Sequence, residues 1–198
     1  CKTFCRTIKN FPEFEKSVKI YLFETSKKLI KIQKNSINDK KVFWIKNLEQ
    51  IKKGPIIFFG NEFFDAIPIK QFSYKKNSLF EKCYKINASS GLDEVYQKAS
   101  REDIAKIKTF KVLRGLKFIE YPKLGLIELD KMVKKVDELS GGILLIDYGY
   151  LNMVNKSTLQ TVMKNKKMNM DSLFKNLGKA DITSLVNFSL LNEYFIKK

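Results

Sequence analysis

The sequence predicts an α/β fold, a mostly parallel sheet with helices on both faces. Two observations carry this reading. Short β-rich runs alternate with stretches of helical periodicity, and three of the apolar runs end in acidic or amide residues, as strands do when they deliver ligand-binding groups at their carboxyl ends.

Residues 1–16 read as a helix that ends near "NFPEF", where Pro12 breaks or restarts the turn. "VKIYLFET" (18–25) reads as a strand with Glu24 at its C-terminal end. In "SKKLIKIQKNSI", Leu29 and Ile32 share one side of a helix and Ser26 can cap its start. "KVFWI" is a short strand, and a Gly-Pro turn leads into "IIFFG". After Pro68 the rhythm changes. "IKQFSYKKNSLFEKCYKI" alternates around "KKNS", which predicts a hairpin turning near Lys76 and Asn77. Residues 91–115 are polar and charged and predict a short helix with loops. "LIELDKMVKKVDEL" puts Leu126, Leu129, Met132 or Val133, Val136 and Leu139 on one helical stripe, stopped by Ser140-Gly141-Gly142. "ILLIDYGY" is a buried strand opening into a polar loop. Residues 151–180 are rich in Lys and Asn, with Thr158, Leu159 and Gln160 embedded. "ADITSLVNFSLLNEYF" begins as a strand and closes as an amphipathic helix.

The composition narrows the function. With 198 residues, 44% hydrophobic and 13% aromatic, the chain is one domain's length and can bury enough apolar surface to order itself. No run reaches the ~20 apolar residues of a membrane-spanning helix. The net charge of +17 suggests nucleic acid, but of the 38 basic residues only Arg6, Arg101 and Arg114 are arginines, the residue that reads bases and phosphates with a bidentate fork. The lysines are spread along the whole chain, and with the many Ile, Asn, Phe and Tyr they fit a genome biased toward A and T. An RNA-binding face of interleaved Lys and aromatics in "FSYKKNSLFEKCYK" is the weaker reading, because those aromatics alternate as a hairpin's buried face would. Three cysteines (Cys1, Cys5, Cys83) without CxxC spacing and no histidine exclude a disulfide framework, a zinc centre and Ser-His or Cys-His catalysis. Chemistry is left to carboxylates, Tyr, Lys, backbone groups or a bound cofactor.

The three acid-tipped strands are "IYLFE" with Glu24, "IIFFGNE" with Asn61 and Glu62, and "ILLIDYG" with Asp147. Glu24 has two readings: an acceptor for both ribose hydroxyls of a nucleoside cofactor, or an acid favoured by the dipole of the next helix. "GNEFFDAIP" also has two. Asn61 can cap a short helix with Glu62 and Asp65 in its first turn, or the amide and two carboxylates can face a cationic substrate such as a guanidinium.

Together "YLFETSKKL" (21–29), "GNEFFDAIPIKQF" (60–72), "GGILLIDYGY" (141–150), "STLQTVM" (157–163) and "GKADITSLVNFSLL" (178–191) resemble, in order and spacing, the MidA-like class I S-adenosylmethionine-dependent methyltransferases. That family includes the mitochondrial arginine methyltransferase that assists assembly of respiratory complex I. The resemblance implies a Rossmann-like class I methyltransferase fold in one domain over 1–198, with residues 67–125 as an inserted hairpin and helical region on the substrate side. It implies S-adenosyl-L-methionine as cofactor, with Glu24 on the adenosine ribose and Thr25, Ser26 and Asn61 beside the cofactor. Asn61, Glu62 and Asp65 are the implied catalytic motif, and Asp147, Tyr148 and Gln160 the implied substrate side; no metal is needed. The implied activity is protein arginine N-methylation, with a respiratory complex I subunit as the protein substrate, in the bacterial cytoplasm or else the mitochondrial matrix.

Two departures stand out. The family's glycine-rich loop and the central strand before it are expected immediately upstream of Cys1, so the chain reads as cut from something longer, with a gap in its sheet between strand 18–24 and strand 56–59. In "DITSLVNF" the family has His at the position of Leu185 and Asp at that of Asn187. Both departures suit the competing expectation, a noncatalytic complex I assembly factor on the same fold.

Overall fold

The computed structural model describes residues 2–88, 91–163, 166–168 and 180–198. The chain divides into two compact units, Cys1–Ile56 with Asp137–Gly141, and Ile57–Val136 with Gly142–Lys198.

The first unit opens with two short helices, α1 (Lys2–Ile8) and α2 (Pro12–Ser17). Pro12 begins the second one, where a missing N–H costs nothing. Strand β1 (Ile20–Phe23), helix α3 (Lys27–Ser36) and strand β2 (Val42–Ile45) form a β-α-β unit, with β1 and β2 parallel and Ile20 opposite Val42. Ser26 caps α3 by accepting the Leu29 N–H through its hydroxyl at 3.3 Å. Cys5, Ile8, Val42, Ile45 and Ile51 form the core of this unit.

Apart from their first residues, β3 (Ile56–Asn61) and β8 (Gly141–Ile146) lie in the second unit, and they form a two-stranded ribbon. They run in the same direction, since the Ile56 N–H donates to Ser140 O and the Glu62 N–H to Ile146 O, each at 2.8 Å. Among the described residues β1 pairs only with β2, and β3 only with β8. The ribbon differs from the buried strands expected. Pleating turns Ile57, Phe59, Leu144 and Ile146 outward, and all four are exposed, Ile57 to 75%.

Region 67–125 holds a four-stranded antiparallel sheet in the order β6-β5-β4-β7: β4 (Lys70–Lys75), β5 (Ser78–Ile86), β6 (Leu92–Lys98) and β7 (Phe118–Tyr121). Lys76 and Asn77 make the β4–β5 turn, both with positive φ. Strand β6 replaces the loop expected there. It is an edge strand whose side chains are mostly exposed, so no apolar alternation marks it, and the backbone ladder to β5 alone defines it. Helix α4 (Arg101–Thr109) follows, capped by Ser100. Its Asp103, 1% exposed, accepts hydrogen bonds from Lys70 (2.8 Å) and Lys123 (3.0 Å).

Helix α5 (Lys123–Leu139) buries Leu126, Leu129 and Met132. Ser140, with φ 60°, makes the left-handed stop expected of the glycines after it. Strand β9 (Gly149–Tyr150) pairs in parallel with β13 (Val186–Asn187), and β10 (Gln160–Met163) lies between β11 (Lys166–Met168) and β12 (Asp181–Thr183). Helix α6 (Phe188–Ile196) ends the unit, burying Leu190, Leu191 and Tyr194. The resemblance motif at 178–179 lies outside the described residues.

Candidate functional site

In the first unit, β1 delivers Glu24 at its carboxyl end. One carboxylate oxygen accepts the Ser26 N–H at 2.8 Å and the other the Gln33 side-chain amide at 3.4 Å. Gln33 in turn accepts the Trp44 indole N–H at 2.9 Å, so α3 and β2 fix the orientation of the acid. Glu24 is half-buried, Thr25 exposed and Ser26 half-buried. An ionised carboxylate has about four acceptor positions, so two remain open for a pair of vicinal hydroxyls. That donor and acceptor set fits a nucleoside ribose.

In the second unit, β3 ends in a tight turn, not in the short helix that Asn61 could have capped. Glu62 takes φ 51°, which throws Phe63 and Phe64 back toward the core. Phe64 is 3% exposed and stacks edge-on against Phe63 at 5.5 Å. Its ring lies where a Cβ at Gly125 would come within 2.4 Å of it, so helix α5 needs a glycine there.

Asp147, at the end of β8, holds this turn. Its Oδ2 accepts the N–H groups of Phe64 (2.7 Å) and Asp65 (3.3 Å), and its Oδ1 that of Tyr148 (2.9 Å). The carboxylate expected on the substrate side thus already serves backbone groups of the acidic motif. Asp65 is half-buried. Burial, then the charges of Asp147, Glu62 and Asp181, push its carboxyl above the usual range. Asn61 and Glu62 are exposed, and Tyr148 is 65% exposed. Gln160 sits in β10 and donates to the Thr183 hydroxyl at 3.2 Å.

The acidic turn is tied to the chain's last strands. The Ser184 N–H donates to Asp65 O at 3.2 Å, and the Val186 N–H to Tyr148 O at 2.8 Å. Gly149 permits this closeness, because a Cβ there would lie 2.1 Å from Val186 O. Tyr150 is pushed up to about 12 by burial and the charge of Glu120, against a hydrogen bond from Asn187. Asn187 also caps α6, accepting the Leu190 N–H at 3.0 Å, a task Asp and Asn perform equally well. Leu185 is 37% exposed and bonds through its backbone N–H to the Thr158 hydroxyl.

The structure therefore gathers Asp65, Glu62 and Asp147 in one unit with Gln160, Tyr148 and Asn61, and sets Glu24, Thr25 and Ser26 in the other. Sequence reasoning missed Asp181 and Glu120. The signal for Glu120 was a lone carboxylate inside the β-rich run "KFIEY"; for Asp181 it was an acid opening "DIT".

The family described as "putative S-adenosyl-L-methionine-dependent methyltransferase" matches residues 1–198. The chain belongs to this family. Among curated relatives, it is 29% identical over 186 residues to the mitochondrial protein arginine methyltransferase NDUFAF7 homolog of Caenorhabditis elegans, covering 91% of this chain and 42% of that protein. It is 24% identical over 152 residues to the mitochondrial protein arginine methyltransferase NDUFAF7 of Danio rerio, covering 77% of this chain and 35% of the relative. The chain thus spans less than half the length of these relatives. Among solved structures, a Burkholderia thailandensis protein bound to S-adenosyl-homocysteine superposes with a TM-score of 0.68 at 19% identity, over 90% of this chain and 48% of that one. A second structure from that organism gives 0.60 at 20% identity, over 79% of this chain and 42% of that one. The fold of this methyltransferase family member is accordingly the Rossmann-like class I methyltransferase fold.

Proposed function

We propose that the protein is an S-adenosylmethionine-dependent methyltransferase that methylates arginine side chains of a protein substrate. The observation that carries this reading is the carboxylate group on the β3 turn. In a chain of net charge +17, Asp65 feels Asp147, Glu62 and Asp181 together. Such a site attracts a cation, and paired carboxylates match the planar fork of a guanidinium. The arginine methyltransferase names of the curated relatives support the same acceptor.

Bound S-adenosylmethionine would supply an electrophilic methyl group. Glu24, with Ser26 and Gln33 fixing it, would accept the ribose hydroxyls, with Thr25 beside the cofactor. Glu62 and Asp65 would take N–H bonds from the guanidinium and hold one nitrogen in line for transfer, so that positioning supplies much of the acceleration. The Asp65 carboxyl, already raised, is suited to receive the proton the methylated nitrogen sheds. Tyr148 and Gln160 would contact the peptide, while Asp147 keeps the turn in shape. The acceptor protein we assign is a respiratory complex I subunit. The relatives' mitochondrial names support a mitochondrial location over the bacterial cytoplasm.

Glu62→Ala and Asp65→Ala should each abolish methyl transfer to an arginine peptide while leaving thermal stability within about 0.5 kcal/mol, the scale of half-exposed surface changes. Full activity in both purified variants would refute the assigned roles. The competing reading, a noncatalytic assembly factor, predicts a folded protein that takes up no S-adenosylhomocysteine in calorimetry.

A further inference from the structure

Glu120 sits on β7, 9% exposed, with its carboxylate committed to another segment of the chain. Its Oε1 accepts the Gln71 side-chain amide at 2.8 Å and the Thr158 N–H at 2.9 Å, and its Oε2 accepts the Thr158 hydroxyl at 2.5 Å. Gln71, 4% exposed, also donates to the Ser157 hydroxyl at 2.7 Å. The Thr158 oxygen meanwhile accepts the Leu185 N–H at 3.1 Å. Next along the backbone, the Ser184 N–H donates to Asp65 O. The path therefore runs from a buried acid, through one hydroxyl and one peptide unit, to the backbone of the carboxylate turn.

A buried carboxylate is costly unless its lone pairs are filled, and a well-packed apolar residue at that place would stabilise the fold as well or better. What a carboxylate adds is direction. The segment around Thr158 has few apolar anchors of its own, and Asn155 holds it by the same kind of bond, accepting the N–H groups of Lys117 and Phe118 at 2.8 Å each. Polar contacts of fixed geometry set where this segment lies.

We infer that Glu120 and Thr158 are positioning residues for the acceptor site, holding the Ser184–Leu185 peptide so that Asp65 presents its carboxylate in one orientation. The inference rests on the arginine methyltransferase reading for its effect on catalysis, but not for its effect on backbone order.

The test compares wild type with Thr158→Val, Thr158→Ser and Glu120→Gln in the purified protein, by hydrogen exchange and by transfer from S-adenosylmethionine to an arginine peptide. Thr158→Val removes both hydroxyl bonds at nearly constant volume. It should speed exchange of the Ser184, Leu185 and Asp65 amides about tenfold or more, and lower kcat about tenfold per cofactor-binding molecule with the KM for S-adenosylmethionine unchanged. Thr158→Ser should restore both. Glu120→Gln can still turn an amide N–H toward the Thr158 oxygen, so it should fall between the two. A merely structural role would lower the melting temperature without changing kcat per binding-competent molecule, and that result would overturn the inference. So would wild-type exchange rates in Thr158→Val. If exchange responds as stated while wild type methylates no arginine, the positioning of the backbone stands and the substrate reading falls.

Discussion

Replacing Asp147 by asparagine takes the charge from an acceptor that serves three backbone donors at 2.7, 3.3 and 2.9 Å. The better of the two amide orientations keeps the oxygen on Phe64 and Asp65 and turns the NH2 against the Tyr148 N–H. One charge-assisted bond is then lost, at about 1.5–3 kcal/mol, and two are weakened to the neutral kind, at about 0.5 kcal/mol each. Relief of the repulsion on Asp65 returns about 0.5 kcal/mol, a small amount because both groups are partly solvated. The net loss is about 2–3.5 kcal/mol, or a fall of about 4–14 °C in melting temperature for a chain of this size. Thermal unfolding followed by circular dichroism at neutral pH reads it directly. A shift under about 1 °C would refute the claim that Asp147 holds the acidic turn through backbone hydrogen bonds.

Asp103 gives a pH prediction. Burial alone would raise its carboxyl, but hydrogen bonds from Lys70 and Lys123 bring it down to about 2. Its folded value is therefore below its unfolded one, so its stabilisation is complete above about pH 4 and is lost as pH falls toward 2, by about 2 kcal/mol. Urea midpoints across that window should fall more steeply for wild type than for Asp103→Asn; parallel slopes would contradict the assignment. Gly149→Ala would place a Cβ 2.1 Å from Val186 O and should part β9 from β13 at a cost of about 1–3 kcal/mol. The check is faster amide exchange at Val186, whose N–H donates to Tyr148 O.

Much of the fold was legible because local rules and tertiary context agree. Ser26 caps α3, Lys76 and Asn77 turn the hairpin, and α5 buries the stripe Leu126–Leu129. The misses share a cause. Strand β6 is defined by its ladder to β5, and β10 by pairing with β12 across about 20 residues of sequence, so neither β6 nor β10 leaves a local apolar pattern. Asn61, Glu62 and Asp65 could be read as a helix start until the structure showed a turn, with Glu62 at φ 51° and Asp147 supplying the acceptor a helix cap would have supplied. Asp147 stood out in the sequence as an acid after an apolar strand, but its partners, 83 residues away in the case of Phe64, did not. Leu185 and Asn187 looked like damage to a motif. In the structure the Asn187 side chain still caps a helix and the Leu185 backbone still bonds Thr158.

The most direct test is transfer of a labelled methyl group from S-adenosylmethionine to two peptides that differ only by arginine or lysine at the acceptor position. The account predicts label on the arginine peptide alone, lost in Asp65→Ala. Label on lysine, or none from a protein that binds the cofactor, would contradict it.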